Sequence, residues 1–288
     1  MAIEIKSSRL KVRLSERGEY YRGSRFDWSG FITDVTLDGQ YNFCADESLI
    51  KGTGSGGRGL CNEFGIHDPI GYAEAKAGDG FPKLGIGILE KTDSDDYNFF
   101  KAYPITPFEC ETAAAESSVV FTIYSKDCNG YSVSYQKEIQ AVDNGFKIKY
   151  YLKNTGSKAF QTTEYCHNFV SIDQKSIGPD YELAFSFVPV GKNMPEIFRL
   201  EDNRIHWRYI PENEFYWVVE GFENKADQFW ELRDLKKGIG MRETANFPVQ
   251  RIAIWGKEHV VSPEMFIHIV LKPGEEMRWQ RTYTFFTL

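Results

Sequence analysis

His167 is the side chain in this sequence best suited to moving a proton. It sits in the run Thr163-Glu164-Tyr165-Cys166-His167-Asn168-Phe169, and an imidazole gains or loses a proton near neutral pH with little tuning. Such a ring works as a general acid or base, paired with a second group of unlike pKa that takes the opposite duty. Little else in the chain offers ready chemistry. There is no P-loop, no G-x-G-x-x-G after a strand and no His-x-x-x-His pair. The five cysteines (Cys44, Cys61, Cys110, Cys128, Cys166) are odd in number, scattered and without a Cys-x-x-Cys pair. Neither a zinc site nor a disulfide framework is expected, and no cofactor is called for.

The elements that must hold that ring are strands. From Phe146 to Leu152 the chain reads FKIKYYL, with Phe146, Ile148, Tyr150 and Leu152 on one face and Lys147 and Lys149 on the other. That period of two predicts a half-buried antiparallel strand. Asn154-Thr155-Gly156-Ser157 is a turn by composition. Phe160 to Tyr165 is then expected to return as the partner strand and deliver His167 just past its end. Similar apolar-alternating stretches run from Phe31 to Leu37, Leu84 to Leu89, Val119 to Tyr124, Tyr131 to Ile139, Glu182 to Val190, Tyr216 to Phe222, Ile252 to Trp255, Phe266 to Leu271 and Met277 to Phe285. Asp38-Gly39, Asn129-Gly130, Asn144-Gly145 and Pro273-Gly274 mark tight turns between them. Residues 46–57 and 71–80 read as long loops of glycine and small residues, a length associated with function. No helix beyond about two turns, no linker and no internal repeat is predicted. The expectation is an all-β fold: one large antiparallel β-sandwich domain over residues 1–288.

A chain of 288 residues buries a sizeable core without disulfides. Aromatic residues make up 15% of it, enough to fill a core and leave rings for a cleft. Aromatics favour strands and also stack on the C–H faces of sugars. A net charge of -7 with a pI of about 5.4 argues against a nucleic-acid partner, which would require basic patches. No run of roughly 18 apolar residues exists, so no membrane partner is expected. The segment MAIEIKSSRLKVRLSERG lacks the apolar core of a signal peptide. A soluble, reducing, cytoplasmic setting is the simplest reading, and no oligomeric state follows from the sequence.

Three stretches carry a resemblance when taken in order. The first is Gly56-Gly57-Arg58-Gly59-Leu60-Cys61-Asn62-Glu63-Phe64-Gly65, followed by Gly78-Asp79-Gly80-Phe81-Pro82-Lys83. The second runs from Leu152-Lys153-Asn154-Thr155-Gly156 to His167-Asn168-Phe169, and the third is Leu271-Lys272-Pro273-Gly274-Glu275 leading to Trp279 and Tyr283. Together they resemble the galactose mutarotase (aldose 1-epimerase) superfamily, the first stretch being similar to its hexose-6-phosphate mutarotase branch. The resemblance implies a large β-sandwich, His167 as a catalytic residue, a monosaccharide or sugar derivative as partner, and no metal or cofactor. The family's first-loop histidine falls on Asp79, with His67 nearby. The family's catalytic glutamate falls on Trp255 or Gly256, and Glu258 and Glu264 are the nearest carboxylates.

Interconverting the anomers of an aldose opens the ring: a base takes the anomeric hydroxyl proton while an acid protonates the ring oxygen. Each such group contributes roughly 10²- to 10⁴-fold. On this chemistry we assign His167, the residue the resemblance singles out, as acid and the nearby carboxylate Glu264 as base, with Glu258 in reserve. Arg25, Arg58, Glu63 and Lys83 would hold hydroxyls or an anionic substituent, and Trp28 and Trp255 would offer stacking surfaces. Plainer readings stand beside these. Arg58 is equally suited to pairing with Asp46 or Glu47, His67 to a solvated turn, and Glu264 to a turn after Ser262-Pro263. His268 alternates with Ile267 and Ile269 and reads as structural, and His206 and His259 as surface residues. The alternative function is a non-catalytic carbohydrate-binding protein that kept the cleft. The expected discriminator is a carboxylate across the cleft, roughly 5–8 Å from the imidazole for catalysis, against Trp255 alone for binding.

Overall fold

The computed structural model describes residues 2–288. The chain forms two large antiparallel sheets and one small one, with no helix among the described residues. Consequently no helix there is long and apolar enough to cross a membrane. The nine-stranded sheet runs in the order Ile3–Lys6, Leu10–Leu14, Ile32–Leu37, Gly59–Phe64, Phe160–Phe169, Val260–Leu271, Arg251–Lys257, Phe215–Val219, with Tyr41–Asn42 added to Ile32–Leu37. The ten-stranded sheet is centred on Ile239–Ala245, Glu276–Thr287, Gly145–Asn154 and Val133–Val142. A three-stranded sheet of Gly80–Lys83, Gly87–Glu90 and Ile105–Pro107 stands apart from both.

Alternation fixes which face each strand buries. Val133–Val142 and Glu276–Thr287 bury every second residue almost without exception, so the inner faces interdigitate in a single core. Phe64 meets Tyr135 and Trp279 edge-on there, and Tyr150 stacks on Trp279 at 4.8 Å. Such ring pairs add to the burial of their area.

The strand before the Asn154 turn and the strand after it do not pair. Gly145–Asn154 lies in the ten-stranded sheet and Phe160–Phe169 in the nine-stranded one, so the turn is an arch that crosses between sheets. The Pro273-Gly274 turn likewise joins Val260–Leu271 to Glu276–Thr287 across the sandwich and makes no hairpin. Both arches lean on one side chain. The Asn154 amide donates to the carbonyls of Lys158 (2.8 Å) and Leu271 (3.0 Å), while Gly274 N–H donates to Asn154 O.

Three local expectations also change. Gly59–Phe64, just after the 46–57 loop and absent from the expected strands, is a strand with every residue buried. Its first residue must be glycine: φ is +57°, and a Cβ would sit 2.3 Å from Ile32 O. The expected Leu84–Leu89 strand is broken by a turn between Lys83 and Gly87. Finally, Phe160–Phe169 and Val260–Leu271 run longer than predicted, so His167 and Ser262-Pro263-Glu264 lie within strands.

Candidate active site

Parity places the chemistry. Along Phe160–Phe169, residues 161, 163, 165, 167 and 169 share the outer face of the nine-stranded sheet, because successive side chains alternate. Register then sets their neighbours: Tyr165 lies opposite Phe266 and Glu63, Trp255 opposite Ser262 and Tyr216, and Ala253 opposite Glu264. His167 and Glu264 belong to the same rung, one step beyond the Tyr165–Phe266 pair. The segments 15–31 and 65–108 wall this face and leave a cavity of about 560 Å³. His167, Glu264, Trp255, Tyr165, Arg25, Phe99 and Phe100 line it.

His167 Nε2 lies 3.4 Å from Glu264 Oε1, and both residues are buried. Ser262 fixes their relation. Its Oγ accepts from Asn168 N–H at 2.9 Å and donates to Glu264 Oε1 at 3.1 Å. Oγ also stands 2.8 Å from His167 Nδ1. With its one proton given to Glu264, the hydroxyl accepts Nδ1–H, which leaves Nε2 as the basic nitrogen facing the carboxyl group. Phe169 stacks on the imidazole at 3.8 Å, and Trp255 meets it edge-on at 5.4 Å. Burial in this aromatic pocket disfavours both charged forms. It pushes Glu264 up to about 8, against the weaker pull of the Ser262 hydroxyl and Arg25. Burial, and secondarily the Arg25 charge, holds His167 well below its ordinary value.

A second layer sits beside the pair. The Arg25 guanidinium bonds Glu63 Oε2 (2.9 Å), Tyr165 OH (3.1 Å) and Ser55 Oγ (2.8 Å). It packs between the rings of Phe26 and Phe99, 4.6 and 4.4 Å from their centroids. Tyr165 OH also donates to Glu63 Oε2 at 2.6 Å. Glu47 holds the 46–57 loop by accepting from Ser55 N–H, Ser55 O–H and Gly57 N–H.

The residues singled out from the sequence separate into two groups. His167, Glu264, Arg25, Trp255 and His67 line the cavity, and Glu63 lies directly behind Arg25. The other five lie elsewhere. Glu258 is exposed on the turn between Arg251–Lys257 and Val260–Leu271. Arg58 pairs with Asp46 at 2.7 Å and lines a smaller, separate hollow, so the glycine loop reaches the site through Gly54 and Glu47. Asp79 is exposed, its carboxylate accepting from Lys76 N–H in a turn. Lys83 is 1% exposed, donates to Gly65 O at 3.1 Å and faces Glu63 at 3.5 Å. Burial lowers it to about 8. It is interior structure, and so is Trp28, whose indole N–H donates to Gly23 O.

Sequence reasoning missed Ser262, Tyr165, Phe99, Phe100, Tyr216 and Arg251. Ser262 and Tyr165 were recoverable, since each stands two residues from a nominated site residue in an alternating strand. The rings of Phe99 and Phe100 come from a loop with no local signal.

No family model matches the sequence, and no curated protein matches it either. Solved structures do match. A galactose mutarotase-like protein from Lactobacillus casei ATCC 334 aligns over 99% of this chain and 100% of its own, at 14% identity and TM-score 0.60. The galactose mutarotase related enzyme from Lactobacillus acidophilus aligns over 100% and 98%, at 14% identity and TM-score 0.62. An aldose epimerase homologue from C. elegans aligns over 100% and 99%, at 12% identity and TM-score 0.55. The chain therefore has the galactose mutarotase-like fold, along its whole described length.

Proposed function

We propose that this chain is an aldose 1-epimerase-like isomerase, with residues 1–288 acting as one domain and His167 and Glu264 as its acid–base pair. The observation that carries the reading is their contact on the floor of an aromatic-walled cavity. The separation, 3.4 Å, is shorter than the 5–8 Å expected for groups on opposite sides of a sugar. It suits the reaction nonetheless. The anomeric hydroxyl and the ring oxygen are bonded to the same carbon, so two groups side by side reach both from one direction.

The sequence assigned the acid to His167 and the base to Glu264. The hydrogen-bond pattern and the two pKa directions support the opposite starting arrangement, a neutral imidazole beside a protonated carboxyl. As the bond from C1 to the ring oxygen breaks, Glu264 gives its proton to that oxygen. His167 Nε2 takes the proton from the anomeric hydroxyl, whose electrons form the aldehyde. After rotation about C1–C2 the liberated hydroxyl attacks the other face and both protons return. On closing, Glu264 recovers the ring-oxygen proton and His167 returns its proton to the anomeric oxygen, so the pair is regenerated each turn. Arg25 and Trp255 position the ring, the first by hydrogen bonds to hydroxyls and the second by stacking.

Polarimetry of freshly dissolved α-aldoses tests this. The protein should accelerate mutarotation of at least one sugar, and His167→Ala should lose roughly 10²- to 10⁴-fold of that rate. No acceleration across a panel of sugars and uronates, with a saturable change in tryptophan fluorescence, would instead identify a carbohydrate-binding protein.

A further inference from the structure

The hollow beside Arg58 is separate from the His167–Glu264 cavity and has a volume of about 170 Å³. Its walls come from distant parts of the chain. Asp46 and Arg58 stand at the two ends of the 46–57 loop, Ser171 and Gln174 lie just past Phe160–Phe169, and His259 sits in the turn before Val260–Leu271. Ser171 sets this hollow apart from an ordinary surface dimple. The residue is fully buried, and its hydroxyl has no hydrogen-bond partner among the described residues. A hydroxyl shut away from water without a partner costs free energy, so the position suits a polar group that comes from outside the chain.

The neighbours define what that group carries. Arg58 Nε–H donates to Thr33 O at 2.9 Å and Nη1 pairs with Asp46 Oδ2 at 2.7 Å, which uses only two of the guanidinium's donors. Asp46 Oδ1 accepts only a long bond, 3.4 Å, from Tyr20 O–H, so the carboxylate keeps acceptor capacity. His259 Nε2 lies 3.0 Å from Asp46 O. A carbonyl oxygen only accepts, so Nε2 carries the proton and Nδ1 of the neutral ring is an acceptor. Gln174 is presented by a turn that Asp173 fixes, its Oδ1 accepting from Asn42 N–H at 2.8 Å. Acceptors and donors thus stand side by side, and the formal charges of Asp46 and Arg58 cancel. A lone anion meets Asp46 as a like charge, and a lone cation meets Arg58. A metal ion fits no better. Burial keeps the Cys44 thiol at the edge of the hollow protonated, and no three His, Cys, Asp or Glu side chains come together as ligands among the described residues.

We infer that this hollow binds a small zwitterion, an α-amino acid between glycine and serine in size, with its ammonium on Asp46 and His259 Nδ1 and its carboxylate on Arg58, Ser171 and Gln174. An α-amino acid carries its two charges side by side, as Asp46 and Arg58 stand here. Size agrees, since a cavity of about 150 Å³ holds benzene and this one therefore takes about six non-hydrogen atoms. The site does not depend on the mutarotase reading. Isothermal titration calorimetry of the full chain with glycine, alanine and serine tests it, with acetate, methylammonium, glycerol and 4-aminobutyrate as controls. At least one of the three amino acids should bind with a dissociation constant about tenfold or more below that of every control. Ser171→Ala should weaken that binding by about tenfold or more, the worth of a hydrogen bond to a charged group. Without amino acid the same variant should keep or raise the urea midpoint, because it removes a hydroxyl that has no partner. Gln174 is exposed and has φ of +57°, a conformation that asparagine tolerates. Gln174→Asn, with its shorter reach, should therefore weaken binding at an unchanged midpoint. Absence of saturable binding by all three amino acids overturns the site and leaves Ser171 to a trapped water. Equal binding of any control overturns it too, as does an affinity that both variants leave unchanged. A lowered midpoint in ligand-free Ser171→Ala shows that the hydroxyl already has a partner, and also overturns the site.

Discussion

Ser262 gives the proposed acid–base pair its direction. By accepting from Asn168 N–H and donating to Glu264, its hydroxyl decides which imidazole nitrogen is free. The same burial that sets the resting proton on Glu264 makes the pair sensitive to pH, in opposite senses. Glu264 is raised from 4.5 to about 8, so folding takes up a proton between those values and stability falls as pH rises across that window. His167 is held below 6.5, so stability falls as pH drops through and below that value. Lys83, lowered from 10.5 to about 8, titrates above the Glu264 window. Glu264→Gln removes the first dependence. Urea midpoints of the wild type and this variant should therefore diverge between pH 6 and 8, the wild type losing more; parallel curves would refute the raised carboxyl. Activity should carry a basic limb near pH 8, where Glu264 loses the proton it donates. Its replacement by glutamine should lower kcat by roughly 10²- to 10⁴-fold.

The strand that presents His167 outward presents Glu164, Cys166 and Asn168 inward, and these inner groups anchor it. Arg281, fully buried on Glu276–Thr287, bonds Glu164 Oε2 at 2.7 Å and Glu243 Oε1 at 2.6 Å. Asn168 donates to Glu243 Oε2 at 3.0 Å and accepts from Tyr283 O–H at 2.9 Å. A charge network of this kind is costly to break from one side, because the remaining ions stay buried without a counter-charge. Arg281→Met strands two carboxylates and should cost about 3–5 kcal/mol by urea unfolding, with kcat lowered through the loosened strand. A loss under 1 kcal/mol would show that the network adds little. The strands buried on one face were legible from alternation, as Ser118–Tyr124 and Gly145–Asn154 show. Gly59–Phe64 was not, because it is buried on both faces and has no polar period to read. At the site, His167 was reachable through motif order, whereas Arg25 was nominated only as a cation able to hold hydroxyls or an anion. Glu264 was reachable only as a near carboxylate, because the strand that carries it begins before Ser262-Pro263. Nothing local to Arg58 or Asp79 distinguishes an ion pair or a turn from a sugar contact; only tertiary distance does.

At the scale of the whole molecule, the site depends on how the two sheets are joined. Both strands that carry the proposed acid–base pair are linked directly to an arch: Phe160–Phe169 begins just after the Asn154 turn, and Val260–Leu271 ends at the Pro273-Gly274 turn. The arches share Asn154, whose amide reaches one carbonyl in each and whose own backbone N–H donates to Glu275 O. They fasten the His167 end of the sandwich indirectly, since Asn154 lies at the far end of these strands from the cavity. Asn154→Ala keeps the backbone bonds but leaves the Leu271 and Lys158 carbonyls without the amide, and a buried acceptor left unpaired costs about 1–3 kcal/mol. The loss should therefore be global. Urea unfolding should shift to lower denaturant by that amount, with an unchanged m-value, because the same surface is exposed. Mutarotation by the folded fraction should keep its KM, because His167 and Glu264 sit several rungs from the arches. A raised KM with normal stability would mean that the arches shape the cavity directly, and that the sheets are held together by their core alone.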